Sequence, residues 1–368
     1  MLKHKNIFIL SLSLSGGGAE RVAVNLADGL ANAGHRITLY VQKEKLATYQ
    51  PASNVTIKYY PNVRLSCLRI LWHFKIIWYI CTEIRKNKPD VLIGFMWYHT
   101  FVAKMAQWLS GRRIPVIYSE HNALERPIIE PMSRKESFFK FYFSRICDAY
   151  VLLTEADRKY GENLGLKNIV VIPNPLGLSS AVEVPPKKNI VISVGRLNVW
   201  RTKGWDVLLA SWGNLVTKYL EWELHIVGAG TTEDRQRLME FAEKYEARER
   251  FRIIDHTQDI EKLYQPASVF VLSSRHEGFP LVVLEAMSQG CACVATSFKG
   301  RMKDIITDGY DGLLCNPDDV DELSNKLGTL VSNKELRSKL QNNALKSVER
   351  FSIKQYITHW ETLIGRLC

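Results

Sequence analysis

The sequence predicts an α/β protein of two doubly wound domains, each a parallel sheet covered by helices, facing each other across a cleft. Three observations predict it. Short, continuously apolar strands alternate with helices along the chain, and strands of that kind are buried on both faces, as in parallel sheets. The pattern stops at Pro173-Asn174-Pro175-Leu176-Gly177 and starts again at Asn189. Finally, 368 residues are too many for one ordinary core, and they suit two domains of ~150–200 residues each.

The first half opens with a strand at Ile7–Ser11, a helix at Ala19–Ala33 ended by Gly34, and a strand at Ile37–Val41. A long helix at Leu65–Lys86 follows, then strands at Val91–Gly94, Val116–Ser119, Ala149–Leu153 and Ile169–Ile172. The Pro-Asn-Pro stretch is a strong breaker, so the first domain is bounded at residues 1–176 and the second at 177–350. The second half repeats the opening. A strand at Asn189–Val194 leads through a turn from Gly195 to Gly204 into a helix at Trp205–Tyr219 and a strand at Trp222–Val227. After Gly228-Ala229-Gly230 come a charged helix to about Tyr245 and strands at Phe251–Ile254 and Val269–Ser273. Doubly wound sheets bind ligands at the carboxyl ends of their strands.

Composition narrows the function. No stretch reaches the ~18 uncharged apolar residues of a membrane-spanning helix. The basic, apolar start reads as a first buried strand rather than a signal peptide, because Ile7-Phe8-Ile9-Leu10 is too short and runs straight into a glycine turn. The seven cysteines, at 67, 81, 147, 291, 293, 315 and 368, form no CxxC pair and no metal spacing, which predicts reduced, mostly buried thiols in a cytoplasmic protein. Residues 1–175 hold 24 Lys and Arg against 13 Asp and Glu, an excess of 11, whereas the rest of the chain is balanced at 25 against 25. A basic first half suits nucleic acid, an anionic lipid surface or a polyanionic acceptor equally.

The sharpest motif is Arg275-His276-Glu277-Gly278-Phe279-Pro280-Leu281-Val282-Val283-Leu284-Glu285-Ala286-Met287. Pro280 suits the first turn of a helix, whose free N–H groups and dipole favour an anionic oxygen or a sugar hydroxyl. Glu277, ahead of the helix, can accept hydrogen bonds from hydroxyls. Glu285, inside it, can reach a second pair, such as those of a ribose. Arg196, after the strand Ser193-Val194-Gly195, and Lys203, before Gly204-Trp205, can neutralise a diphosphate as its bond to a sugar breaks. Ser15-Gly16-Gly17-Gly18-Ala19 lets the chain approach a phosphate or sugar at a helix start, but it is neither a Walker loop nor G-x-G-x-x-G. His121, in Ser119-Glu120-His121-Asn122, closes a first-half strand and can reach the reacting sugar across the cleft. The single Asp-x-Asp, Asp319-Val320-Asp321, looks like a helix start rather than a metal site.

Together Gly16-Gly17-Gly18-Ala19-Glu20-Arg21, Gly195-Arg196, Lys203-Gly204, Glu277-Gly278-Phe279-Pro280 with Glu285-Ala286-Met287, and Asp308-Gly309-Tyr310-Asp311-Gly312-Leu313-Leu314 resemble the large retaining family 4 of glycosyltransferases, nearly end to end. Within that family the chain is most similar to enzymes of bacterial capsule, O-antigen and lipid-linked glycan assembly, including α-1,4-N-acetylgalactosaminyltransferases. The resemblance implies a GT-B fold of two facing Rossmann-like domains, the first binding the acceptor and the second the nucleotide sugar. It implies Arg196 and Lys203 on the donor diphosphate, Glu277 with Gly278, Phe279, Pro280 and Leu281 around the donor sugar, and Glu285 on the ribose. Gly17 and Gly18 would lie near the donor phosphates and sugar, and His121 beside the sugar. Residues 351–368 would form a helix crossing back to the first domain.

The chain departs from that family in a longer gap between Arg196 and Lys203, which adds Arg201 to the candidates for the diphosphate. Asp255 stands where a glycine is common, and Ser297-Phe298-Lys299-Gly300-Arg301 lacks the usual Gly-Pro. The expected activity is transfer of a hexose or N-acetylhexosamine from a UDP-sugar, with no metal ion or other cofactor, onto a lipid-linked or polysaccharide-precursor acceptor such as a polyprenyl-diphosphate glycan. Retention by front-face attack and by double displacement both stay open. A nucleic-acid-binding protein is the alternative of another class, disfavoured because the most organised polar motifs lie in the neutral half.

The expected location is the inner face of the plasma membrane, bound peripherally. In the helix at 65–86, Cys67, Ile70, Phe74, Ile77, Cys81 and Ile84 form a core stripe at spacings of three and four. Arg69, Trp72, Lys75, Tyr79 and Lys86 lie opposite, as residues for lipid headgroups. Ser137-Phe138-Phe139-Lys140-Phe141-Tyr142-Phe143-Ser144-Arg145 adds a second aromatic and basic segment.

Overall fold

A computed structural model describes residues 4–42, 47–61, 69–126, 131–257 and 259–368, with the backbone alone at 69–71. The chain divides into two units, one of residues 1–175 with 353–368, the other of residues 176–352.

Unit 1 contains β1 (Asn6–Leu10), α1 (Gly18–Asn32), β2 (Arg36–Val41), β3 (Thr56–Tyr59), α2 (Arg69–Asn87), β4 (Val91–Phe95) and α3 (Met96–Ser110). It continues with β5 (Val116–Ser119), α4 (Arg134–Phe141), β6 (Ala149–Leu152), α5 (Glu155–Asn163) and β7 (Ile169–Val171). The sheet is parallel, in the order β3-β2-β1-β4-β5-β6-β7. Ile7, Phe8, Ile9 and Leu10 of β1 are all fully buried, as the continuous apolar run requires of a central strand.

Unit 2 contains β8 (Lys188–Val194), α6 (Trp200–Lys203), α7 (Trp205–Val216), β9 (Glu223–Val227), α8 (Thr232–Lys244) and β10 (Phe251–Ile254). Then come α9 (Glu261–Tyr264), β11 (Ala267–Leu272), α10 (Leu281–Ser288), β12 (Ala292–Thr296), β13 (Leu313–Cys315), α11 (Val320–Ser332) and α12 (Lys334–Ser347). Its parallel sheet runs β10-β9-β8-β11-β12-β13 over a core that includes Trp205, Trp212 and Trp222. Asp319 caps α11, its carboxylate accepting the Glu322 N–H at 2.8 Å.

The last helix, α13 (Ile353–Leu367), belongs to unit 1. It buries Tyr356, Ile357, Trp360, Leu363 and Ile364. Ile357 lies directly on Gly29 of α1, where a Cβ would have no room. Across the same seam His35 faces Glu361 at 3.3 Å.

Two expectations about unit 1 are corrected. On α2 the buried arc is Ile76, Ile77, Ile80, Cys81 and Ile84, whereas Phe74 is 64% exposed and does not join the core. Trp72 and Tyr79 lean inward instead: the Trp72 indole donates to the Pro61 carbonyl at 3.2 Å and Tyr79 lies 6.2 Å from the Tyr40 ring. The outer face therefore carries Phe74, Lys75, Trp78, Arg85 and Lys86. Leu65 and Cys67 lie outside the described residues, as do the side chains of Arg69 and Ile70. In the second segment, Phe138 and Tyr142 are exposed but Lys140 is completely buried and ion-paired. Of the cysteines described as free thiols, five are buried and Cys368 is exposed. No helix among the described residues is long and apolar enough to cross a membrane.

Candidate active site

In a doubly wound sheet the strand order reverses at one point, and the loops leaving the carboxyl ends there diverge to leave a crevice. In unit 2 that point lies between β8 and β11. Gly195 and Arg196 follow β8; Ser273 to Glu277 follow β11. The loop after β8 makes a short 3-10 turn and then α6, which ends on Lys203. Gly204 closes α6 in the left-handed region, at φ +63°, where an L side chain is strained.

The close approach at Gly204 sets the site. The Ser273 hydroxyl donates to the Lys203 carbonyl at 2.8 Å, and the Arg275 N–H donates to the Thr202 carbonyl at 2.8 Å. The Arg275 guanidinium clamps the same turn with two bonds to Asp206, at 2.9 and 2.8 Å, and a third to Asp318 at 2.6 Å. So fixed, Lys203 extends over Gly195 and places its Nζ 2.7 Å from Glu277 Oε1. The Ser274 hydroxyl donates to the same oxygen at 2.8 Å. A pocket lined by Ser274, Glu277, Pro280, Thr296, Phe298 and Arg301 adjoins the carboxylate.

Gly278 is half-buried, while Phe279 is buried against Phe351 with their rings 5.8 Å apart. Pro280 occupies the N-cap of α10 rather than its first turn, and Leu281 begins the helix. Glu285, one turn further, is only 6% exposed and accepts the Tyr264 hydroxyl at 3.3 Å. Burial, and then the Glu285 carboxylate, push the Tyr264 phenol well above its usual range, so it acts there as a donor. Arg196 is exposed. Arg201 turns its guanidinium over the Trp200 ring at 5.1 Å, and Asp255 is ion-paired with Arg235.

In unit 1 the order reverses between β1 and β4. Gly16, Gly17 and Gly18 leave β1 exposed, with Gly17 as the N-cap of α1, and Glu20 accepts the Gly17 N–H at 3.1 Å. His121 follows β5. Its ring stacks on Phe95 at the end of β4, with centroids 4.7 Å apart and planes 7° apart, and its Nε2 lies 2.9 Å from the Ser119 hydroxyl. Burial pushes the imidazole down to about 4, against a smaller opposing contribution from Asn174. His121 is therefore neutral at pH 7 and can exchange hydrogen bonds without carrying charge.

Lys203 and Glu277, 74 residues apart, thus meet at one place, with Arg196 in the loop that follows β8 and Glu285 on α10, while His121 and the glycine loop each follow a strand of unit 1. Ser273, Ser274, Asp206 and Arg275 escaped sequence reasoning as site residues. Arg275 opens the motif, Ser273 and Ser274 precede it and Asp206 follows Gly204-Trp205, but what they do depends on which turn they meet. Among the described residues no group of three or more His, Cys, Asp and Glu side chains could hold a metal ion.

Residues 178–347 match the model of Glycosyl transferases group 1, and residues 16–179 that of Glycosyltransferase Family 4. The chain is 28% identical over 98% of its length, and 98% of the relative's, to an alpha-1,4-N-acetyl-D-galactosaminyltransferase of Campylobacter jejuni whose name describes a glycan on PP-undecaprenol. It is 25% identical to the amylovoran biosynthesis glycosyltransferase AmsD of Erwinia amylovora, covering 98% of this chain and 100% of that one. Among solved structures it resembles Anabaena HepE in complex with UDP and glucose, at a TM-score of 0.79 and 18% identity over 99% of this chain and 100% of that one. That likeness speaks for the GT-B fold.

Proposed function

Because this chain belongs to the glycosyltransferases that join a family 4 domain to a group 1 domain on the GT-B fold, we propose that it transfers a hexose or N-acetylhexosamine from a UDP-sugar, with retention, to a lipid-linked or polysaccharide-precursor acceptor. It is a hexosyltransferase of cell-surface glycan biosynthesis. The observation that carries the finer reading is the Lys203–Glu277 pair at 2.7 Å, at the strand-order reversal of unit 2. A cation and a hydroxyl-accepting carboxylate side by side suit the junction between a sugar and a diphosphate.

In this reading Lys203 leaves Glu277 for the donor diphosphate, joined there by the exposed Arg196, and the two cations stabilise charge as the C1–O bond breaks. Glu277, still held by Ser274, accepts a donor-sugar hydroxyl, and the N-terminal turn of α10 points its N–H groups toward the same region. Glu285 accepts the ribose hydroxyls. Gly17 and Gly18 allow close approach of the donor, and neutral His121 exchanges a hydrogen bond with the sugar. The acceptor hydroxyl forms the new bond to C1 on the face the diphosphate leaves, and its proton passes to the departing phosphate oxygen. Two side-chain cations supply the charge that a metal ion supplies elsewhere, so no metal is required.

Unit 1 would rest on an anionic membrane surface. Phe74 and Trp78, 64% and 60% exposed, stand one turn apart on α2 beside Lys75, and the first 175 residues carry the entire charge excess.

A panel of UDP- and GDP-sugars, read by thermal shift and by nucleotide release, tests the reading. A UDP-hexose or UDP-N-acetylhexosamine should stabilise and turn over. Glu277→Ala should lower turnover by about 10²-fold or more while the melting curve stays cooperative; parent turnover in that variant, or a response to GDP-sugars alone, would refute it.

A further inference from the structure

Behind His121 lies a set of charged side chains that the proposed reaction does not use. Lys140 of α4 is 0% exposed, and its Nζ lies 3.2 Å from Glu120 Oε2 and 3.1 Å from Glu136 Oε1. Glu136 also accepts the Arg126 guanidinium at 2.7 Å. Glu120, which joins β5 to His121, is 1% exposed. Two cations and two carboxylates balance in charge, yet burying such a group costs more than replacing it with apolar side chains. What the group holds is therefore informative.

Glu120 spends its two oxygens on different tasks. Oε1 accepts the backbone N–H of His121 at 3.1 Å and of Asn122 at 2.9 Å. Oε2 accepts the Tyr118 hydroxyl at 2.9 Å and faces Lys140. One carboxylate oxygen thus pins two successive peptide groups just beyond the strand. Lys140 supplies the counter-charge to that carboxylate in a place almost closed to water. Without that cation the buried carboxylate would be left as an unpaired charge, and the segment would relieve this by moving Glu120 toward water and away from the two N–H groups. The His121 ring, which depends on this backbone for its seat between Phe95 and Ser119, would then lose its alignment. The helix carrying Lys140 is itself fixed, since Phe139 stacks on Trp97 of α3 at 4.7 Å.

We infer that Lys140, acting through Glu120, is a positioning residue that holds the His121 imidazole in its half-buried place at the carboxyl end of β5. Its catalytic consequence rests on the role proposed for His121; its structural consequence does not.

The test uses the full chain with ¹⁵N-labelled histidine, the His121 resonance being assigned by its absence in His121→Gln. Two quantities are read in the parent, Lys140→Met, Lys140→Arg and Tyr118→Phe: the imidazole titration midpoint, and kcat at saturating donor. In the parent His121 should titrate near 4. In Lys140→Met the midpoint should climb toward the ordinary 6.5 as the ring gains water, and kcat should fall about tenfold or more. Lys140→Arg, which keeps the charge, should recover part of both. A folded Lys140→Met with the parent midpoint and the parent kcat would overturn the inference. Should Lys140→Met not fold, Tyr118→Phe decides, since it removes one donor from Glu120 and should move both quantities the same way by less. An unchanged midpoint and kcat there would overturn the inference. If His121→Gln turns over at the parent rate, the reading of His121 fails, while a shifted midpoint in Lys140→Met would still stand.

Discussion

Gly204→Ala is the most exacting perturbation, because this glycine joins stability to the site. At φ +63° an alanine costs ~1–2 kcal/mol in backbone conformation alone. Its Cβ would also sit 3.0 Å from the Ser273 carbonyl carbon and closer still to the oxygen. Neither side yields freely, since Ser273 holds the Lys203 carbonyl and Arg275 holds that of Thr202. Overpacking of this kind adds ~1–3 kcal/mol. The sum, about 2–5 kcal/mol, corresponds to a melting temperature lower by roughly 10 °C in a unit of this size. Relief requires the turn to retreat, carrying Lys203 away from Glu277, and a displacement of about 1 Å at a reacting centre can cost about 10²-fold in rate. Scanning calorimetry reports the melting, and nucleotide release reports turnover. Gly309→Ala is the control: its φ is +74° but no atom lies within 4 Å of the added carbon, so it carries the backbone cost alone. An alanine at 204 that melts and turns over like the alanine at 309 would refute the close-approach argument.

Three further outcomes follow from the same geometry. Glu285→Ala should weaken UDP binding by ~1–3 kcal/mol, the loss of charge-assisted hydrogen bonds, measured by calorimetry; unchanged affinity would remove Glu285 from the donor site. Turnover should survive excess EDTA, and a loss restored by Mg²⁺ or Mn²⁺ would mean that a cation rather than Arg196 and Lys203 neutralises the diphosphate. In flotation assays the chain should rise with anionic but not neutral vesicles at low salt. Phe74→Ala/Trp78→Ala and Lys75→Glu/Lys86→Glu should each lower that fraction, each cation being worth ~1 kcal/mol near the surface. A parent chain that stays at the bottom with anionic lipid would sink the membrane proposal.

Much of the architecture was legible because a buried parallel strand must be apolar on both faces. Strands at 116–119 and 251–254 were read with the observed ends, and others differed by a residue or two. The misses have physical causes. Strand β3 is an edge strand with exposed ends and no continuous apolar run. Helix α3 starts from Phe95, which offers no capping side chain, so no N-terminal signal marks it. The turn from Gly195 to Gly204 contains α6, too short to show a period.

The candidate site was legible as residue types: Arg196, Lys203, Glu277 and Glu285 stand beside strand ends and helix starts, and backbone geometry alone makes those positions suitable for phosphates and hydroxyls. Direction and partnership were not. On α2 apolar residues occupy most of the circumference, so spacing cannot say which arc meets the sheet, and Phe74 and Trp72 exchanged the sides assigned to them. Lys140 reads as a surface cation in an aromatic stretch, yet it is buried against Glu120, 20 positions earlier and just past the end of β5. By itself the sequence determined the two parallel sheets and the chemistry available at their carboxyl ends, since both follow from local pattern and from composition. Only the tertiary structure decided which charges meet, because a charge is stabilised by whatever lies within a few ångströms of it, and the chain brings those neighbours from positions that local pattern cannot connect.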